Sequence, residues 1–239
     1  MASSYWSSTR APRYSLLFAL PLLLLYETLA NLLSGEQGIR NGADVLLKSL
    51  FVLLGGRYGL TAFAVVLLGV GLVLVVRDWR QSGAPQSRFF LGMMGESVVY
   101  AVLFGGVTSA LTGLLLHGPR LALVQGTALS LPTEIMVSLG AGIYEEILFR
   151  VVIVSALAQL ALKGFRWRPA PAGIFATVLG ALIFSAFHYI GPFGDTLTLG
   201  SFAFRMVAGL LLSALFLLRG LGIAAWTHAL YDVFLTLRP

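Results

Sequence analysis

Two adjacent carboxylates and an arginine stand in the stretch Tyr144-Glu145-Glu146-Ile147-Leu148-Phe149-Arg150. They lie inside an otherwise apolar run over 135–162, long enough to cross a bilayer. Ionisable groups at membrane depth are expensive and are kept there mostly for function, with partners close by. Helix spacing separates the two acids. Glu146 and Arg150 are four residues apart, share a face and can form an ion pair. Glu145 is turned about 100° from Glu146 at 3.6 residues per turn, so its partner must come from another helix. The plainer reading, that all three only glue helices together, suits a lone Glu better than this cluster.

Two of the three histidines fall in the final apolar runs. His188 is four residues after Phe184 and His228 four before Asp232, which places each pair on one helix face. A lone intramembrane histidine is more often an interhelical hydrogen-bonder than a catalyst. Two of them with Glu145 and Asp232 form a different inventory: a carboxylate base, an imidazole to share the proton, and polar groups to receive an oxyanion. Hydrolysis of a peptide bond within a membrane needs all three.

Glu145-Glu146-x-x-x-Arg150, Phe184-x-x-x-His188 and His228-x-x-x-Asp232 occur in that order, each on its own predicted span. The ordered set resembles the CAAX-processing and bacteriocin-processing (CPBP) family of intramembrane endopeptidases, and the resemblance covers a core of about 133–237. It implies a helical membrane fold with a polar cavity and a glutamate-dependent hydrolase. Carried over by position, Glu145 with His188 activates water, and His228 with Asp232 stabilises the tetrahedral oxyanion. Glu146 and Arg150 support the helix that bears Glu145, and Phe184 packs beside the site. The third motif often ends in Asn, although Asp also occurs. An ionised Asp232 only accepts hydrogen bonds, so it must either carry a proton or serve chiefly to orient His228. No resident cofactor is implied; the implied partner is a membrane-anchored protein or peptide cut near its C-terminus.

The rest of the sequence must supply the frame for these residues. Of 239 residues, 58% are hydrophobic and 11% charged, with a mean hydropathy of +0.89. Soluble domains are about a quarter charged, so an all-α polytopic transmembrane bundle in a single domain over 1–239 is expected. Strand-period alternation is absent, against a barrel, and 27 glycines suit close helix packing in lipid. The net charge of +6 comes from basic residues at the ends of apolar runs, which argues for topology signals and against nucleic acid. With no cysteine, disulfides, thiolate metal sites and a cysteine nucleophile are excluded.

Seven spans are predicted, at 14–33, 60–76, 89–116, 133–162, 172–190, 201–218 and 221–237. The first is read as retained and not as a signal peptide, because it is long and contains Glu27. The run 45–54 is short and interrupted by Lys48, so it is expected to be interfacial or re-entrant; if it crosses, it makes an eighth span. His117 to Arg120 should close the third span, 121–132 should skim the interface, and 191–195 should turn. Arg77 to Arg88 and Lys163 to Arg168 mark cytoplasmic loops, and Arg10 and Arg13 put the N-terminus on the same side. The C-terminus then lies outside, and the composition suggests a prokaryotic cell membrane. Glu27 and Glu96 are expected to be helix-packing hydrogen-bonders.

Three other readings compete. Two histidines and two carboxylates are donors that Zn²⁺ accepts, but the helical zinc motif H-E-x-x-H is missing. A proton-coupled transporter would use Glu96, Glu145 and the histidines as a relay, yet no inverted repeat is evident. A non-catalytic membrane scaffold is the last.

Overall fold

The computed structural model describes residues 5–33, 38–116, 129–191 and 194–237, and among these every regular element is helical. A short α1 (Tyr5–Ser8) leads into α2 (Pro12–Leu33), α3 (Gly42–Gly55), α4 (Gly59–Ser82) and α5 (Ser87–Leu115). One long helix, α6 (Leu131–Gly164), carries the acidic pair. It is followed by α7 (Pro169–Phe187), α8 (Leu199–Arg219) and α9 (Leu221–Thr236). The expected turn at His117 to Arg120, most of 121–132 and two residues of the 191–195 turn lie outside the described residues.

Local chemistry sets the boundaries. Pro169 opens α7, where its missing N–H costs nothing. Thr198 caps α8 by accepting the Ser201 N–H. Gly220, at φ 83°, ends α8 and begins α9 without a loop between them.

Six segments are long and apolar enough to cross a membrane: α2, the α3–α4 stretch, α5, α6, α7 and α8. The predicted seventh span is α9, which has 16 residues, about 24 Å of helix. It falls short of a hydrocarbon core of about 30 Å. Gly222, Ala224, Ala225 and Ala229 are buried, so α9 packs against its neighbours through small residues.

The 45–54 run is the middle of α3. It starts beside Tyr26, well along α2, where the Tyr26 hydroxyl accepts the Asn41 N–H at 3.2 Å. It ends at a sharp turn with Gly56 at φ 52°. There α4 folds back so closely that a Cβ at Gly59 would lie 2.4 Å from the Phe51 carbonyl oxygen. α3 and α4 thus form a tight helical hairpin.

One end of the bundle is tied by buried ion pairs. Arg13 at the start of α2 binds Asp78 near the end of α4 at 3.1 Å. Arg219 at the end of α8 binds Glu96 at 2.5 and 2.8 Å, the Trp6 carbonyl at 2.9 Å and Thr9 at 2.8 Å. Its guanidinium also stacks over Trp6 at 4.1 Å. Burial and the neighbouring Glu96 carboxylate push the Tyr5 phenol up to about 12, so it stays a donor to Glu96. Glu96 is thus a packing group, as expected, and so is Glu27, which binds Lys48 at 2.7 Å and Arg40 at 3.2 Å.

Candidate active site

Within α6, Ala141–Val154 is wound as a π-helix, and Leu160–Gly164 again. Such i→i+5 winding is rare and concentrates at functional sites. Both acids lie in the wide segment, and it is buried on almost every side. Close packing places it. A Cβ on Gly142 would sit 2.4 Å from Ala229 Cβ and 2.6 Å from the Ala225 carbonyl, so α6 and α9 touch backbone to backbone there. Gly142 is four residues before Glu146, and Ala225 and Ala229 flank His228. The glycine contact therefore sets the carboxylate against the imidazole.

The expected ion pair exists: Arg150 Nη1 lies 3.1 Å from Glu146 Oε1, both fully buried. The guanidinium also lies over the Phe184 ring at 4.6 Å and donates to the Gly209 carbonyl at 3.3 Å. Glu146 has a second partner that spacing did not reveal. His228 Nδ1 is 2.8 Å from the same Oε1. A carboxylate only accepts, so Nδ1 carries the proton and Nε2 faces the other way. Asp232 Oδ2 lies 3.5 Å from that Nε2.

Glu145 finds its partners on other helices, as the face argument requires. Its Oε1 accepts from Asn41 Nδ2 at 3.0 Å. Its Oε2 is buried without a hydrogen-bond partner and faces His188 Nε2 at 3.9 Å. The opposite nitrogen, His188 Nδ1, donates to the Phe184 carbonyl at 2.9 Å, which leaves a lone pair on Nε2. Phe184 sits edge-on to His188 with ring centroids 4.8 Å apart, and 6.2 Å from His228. All seven residues singled out in the sequence are thus in one cluster.

His188 reaches Glu145 in a way the predicted span 172–190 did not foresee. α7 ends at Phe187, and His188 turns back through an N–H bond to the Ser185 carbonyl. It runs antiparallel to α6, with Gly180 against Val154, so its end falls level with Glu145. The segment Leu131 to Tyr144 of α6 continues beyond it. The histidine is therefore at a helix end, with a quarter of its side chain exposed.

Asn41 was missed. An Asn ahead of an apolar run is a helix-cap signal, and its Oδ1 does cap α3 by accepting the Ala43 N–H at 2.9 Å. That its amide also holds a carboxylate from residue 145 is a tertiary fact. A polar network continues from it: Tyr26 donates to Asp44 at 2.7 Å, Asp44 pairs with Arg40 and Lys48, and Tyr144 donates to Glu27. Beside this network, α2, α3 and α4 enclose a cavity of about 910 Å³ with apolar walls such as Leu23, Val52, Leu60 and Leu67. Glu27, Arg40, Lys48, Ser49 and Tyr144 supply its polar lining.

Among the described residues no group of three His, Asp or Glu side chains is arranged to hold a metal ion. Each imidazole already spends Nδ1 on a protein acceptor.

Residues 127–234 match the family model for Type II CAAX prenyl endopeptidase Rce1-like proteins. Over that segment the chain is similar to the CAAX-protease family. Comparisons with curated proteins and with solved structures found no match. The matched segment contains all three motifs and leaves out α1 to α5, so Asn41 and the apolar cavity come mainly from the part of the chain outside it. The family supports an intramembrane endopeptidase in general and a protein embedded in the bilayer. A relay transporter and an inert scaffold lose ground accordingly.

Proposed function

We propose that this chain hydrolyses a peptide bond near the C-terminus of a membrane-anchored protein or peptide, with water activated by Glu145 and His188. The observation that carries this is the pair of facing acceptors, Glu145 Oε2 and His188 Nε2, at 3.9 Å with Oε2 otherwise unbonded. Two acceptors at that separation are too far apart for a direct bond and suited to a shared water, which donates a proton to each. Glu145 takes one proton as the water oxygen attacks the scissile carbonyl carbon, and returns it to the leaving nitrogen.

The oxyanion needs donors. His228 is held by Glu146 through Nδ1, so a protonated ring offers Nε2–H toward the reacting carbonyl, with Asp232 alongside. Glu146 thereby takes the holding role that the sequence reading offered to Asp232. Arg150 balances the charge of Glu146 in turn. The glutamate mechanism is preferred to a zinc-dependent one because, among the described residues, the donors do not converge in threes. The neighbouring apolar cavity is a seat for the substrate's apolar portion.

The test is co-expression with candidate membrane-anchored substrates. Cleavage present with the wild type and lost with Glu145→Gln, at equal expression, supports the proposal. Cleavage that persists in Glu145→Gln removes Glu145 from the chemistry.

A further inference from the structure

Arg205 belongs to α8 and to none of the motifs, yet it faces the site. α7 and α8 are antiparallel neighbours. A Cβ on Gly209 would touch the Phe184 ring at 3.0 Å and the Ala181 backbone at 3.2 Å, and Ser185 donates to the Phe202 carbonyl at 2.7 Å. Arg205 is four residues before Gly209 on the same face, as His188 is four residues after Phe184. The two side chains therefore stand across from each other, one turn outward from the Phe184–Gly209 contact.

An arginine six residues into a spanning helix is costly unless it has a task. Here it holds a carboxylate supplied by the chain itself. Asp195, on the segment joining α7 to α8, pairs with Arg205 Nη2 and donates its N–H to the His188 carbonyl at 2.9 Å. Nη1 is braced by Tyr189 at 3.3 Å and by Ser201, and the guanidinium stacks over the Tyr189 ring at 5.4 Å. Asp195 is more than a third exposed and Arg205 a quarter, so the pair borders solvent. A half-exposed loop carboxylate on a braced arginine is an exchangeable ligand. The brace keeps the fork in place when the carboxylate leaves, and planar forks of this kind bind carboxylates in two-point fashion.

We propose that Arg205 is the receptor for the free C-terminal carboxylate of the substrate, and that Asp195 occupies it in the resting state. The inference rests on the proposed hydrolase reading and deepens it. Binding of the terminus at Arg205 fixes the distance from the chain end to the bond that reaches the Glu145–His188 pair. It also releases Asp195 from Arg205. Specificity for protein termini then follows from geometry, without reading the side chains at the end.

The experiment compares a short lipid-anchored peptide bearing either a free C-terminal carboxylate or a carboxamide, with protein in lipid nanodiscs. Binding is measured by fluorescence anisotropy, and cleavage is followed in parallel. The wild type should bind the acid about tenfold more tightly than the amide, the scale of one charge-assisted hydrogen bond. Arg205→Gln should lose that preference without weakening binding of the amide. Asp195→Asn, which removes the competitor, should bind the acid several-fold more tightly than the wild type does. Equal affinity of the wild type and Asp195→Asn for both peptides would overturn the proposal, as would a loss of acid and amide binding alike in Arg205→Gln. Absence of cleavage beside a preserved acid preference would sink the hydrolase reading and leave the carboxylate receptor standing.

Discussion

Glu145 and Glu146 are neighbours in sequence and make opposite kinds of contact. Glu145 keeps one oxygen unbonded and facing an imidazole, while Glu146 spends Oε1 on Arg150 and His228 together. Glu146→Gln removes the charge opposite a fully buried arginine, and breaking such a pair costs about 3–5 kcal/mol. Glu146→Gln should therefore show a lower melting temperature in detergent and poor expression, and its remaining folded fraction should turn over slowly because His228 is no longer held. Arg150→Ala should resemble it. A well-folded but dead Glu146→Gln, next to an active Glu145→Gln, would reverse the two roles. Asp232 permits a sharper distinction. Its carboxylate stands 3.5 Å from His228 Nε2, on the side where an oxyanion would arrive. Asp232→Asn offers an amide donor of the same shape and should keep measurable turnover, whereas Asp232→Ala should lose ~10²–10³-fold. An inactive Asp232→Asn restored by added Zn²⁺ would promote the metal reading. At this scale the sequence was informative: helix spacing separated the acids and paired Glu146 with Arg150. It could not show the His228–Glu146 bond, because contact across 82 positions depends on how two helices pack.

The elements meet at glycines, and the site depends on one of them. Gly142 lets the π-wound part of α6 lie against Ala225 and Ala229 of α9. Gly142→Ala puts a methyl group where backbone already stands, so α9 must move away and take His228 from Glu146. Overpacking of this kind costs about 1–3 kcal/mol, and the loss of activity should exceed what the fall in stability explains. Adding Ala229→Gly removes the nearest obstacle while the Ala225 carbonyl remains, so the double variant should recover part of both. Turnover and melting temperature of the three variants, measured together, check this; a neutral Gly142→Ala would mean that the contact does not set the site. Several of these features were legible early and others were not. Apolar run lengths located the helices to within a few residues, and Lys48 within a short run marked α3 as unusual. The π winding left no mark in the residue pattern. Neither did the early end of α7, which a continuous apolar run to Ile190 concealed; a bond from His188 to Ser185 and Gly191 at φ 92° end the helix instead.

Across the whole molecule, charge and ion pairing agree on a direction. The Arg13–Asp78 and Arg219–Glu96 pairs gather the N-terminal segment, the α4–α5 connection and the α8–α9 junction at one end. Because α7 runs antiparallel to α8, it starts at that end too. Arg10, Arg77, Arg80, Arg88, Lys163, Arg166 and Arg168 therefore cluster with Arg13 and Arg219. Cations in the other half are mostly neutralised: Arg40 and Lys48 by Asp44 and Glu27, Arg205 by Asp195. Unbalanced positive charge marks the cytoplasmic side, so His188, at the far end of α7, should lie toward the outer face, and substrate should approach from there. Such a site suits trimming of exported, membrane-anchored proteins better than processing of cytoplasmic ones. The chain has no native cysteine, which makes the test clean. Thr196→Cys lies on the exposed segment beyond His188, and Arg168→Cys lies at the exposed start of α7. An impermeant maleimide should label Thr196→Cys in intact cells and Arg168→Cys only after the membrane is opened. Labelling of Arg168→Cys alone in intact cells would invert the bundle, put the Glu145–His188 pair within reach of the cytoplasm, and make cytoplasmic protein termini the substrates to try first.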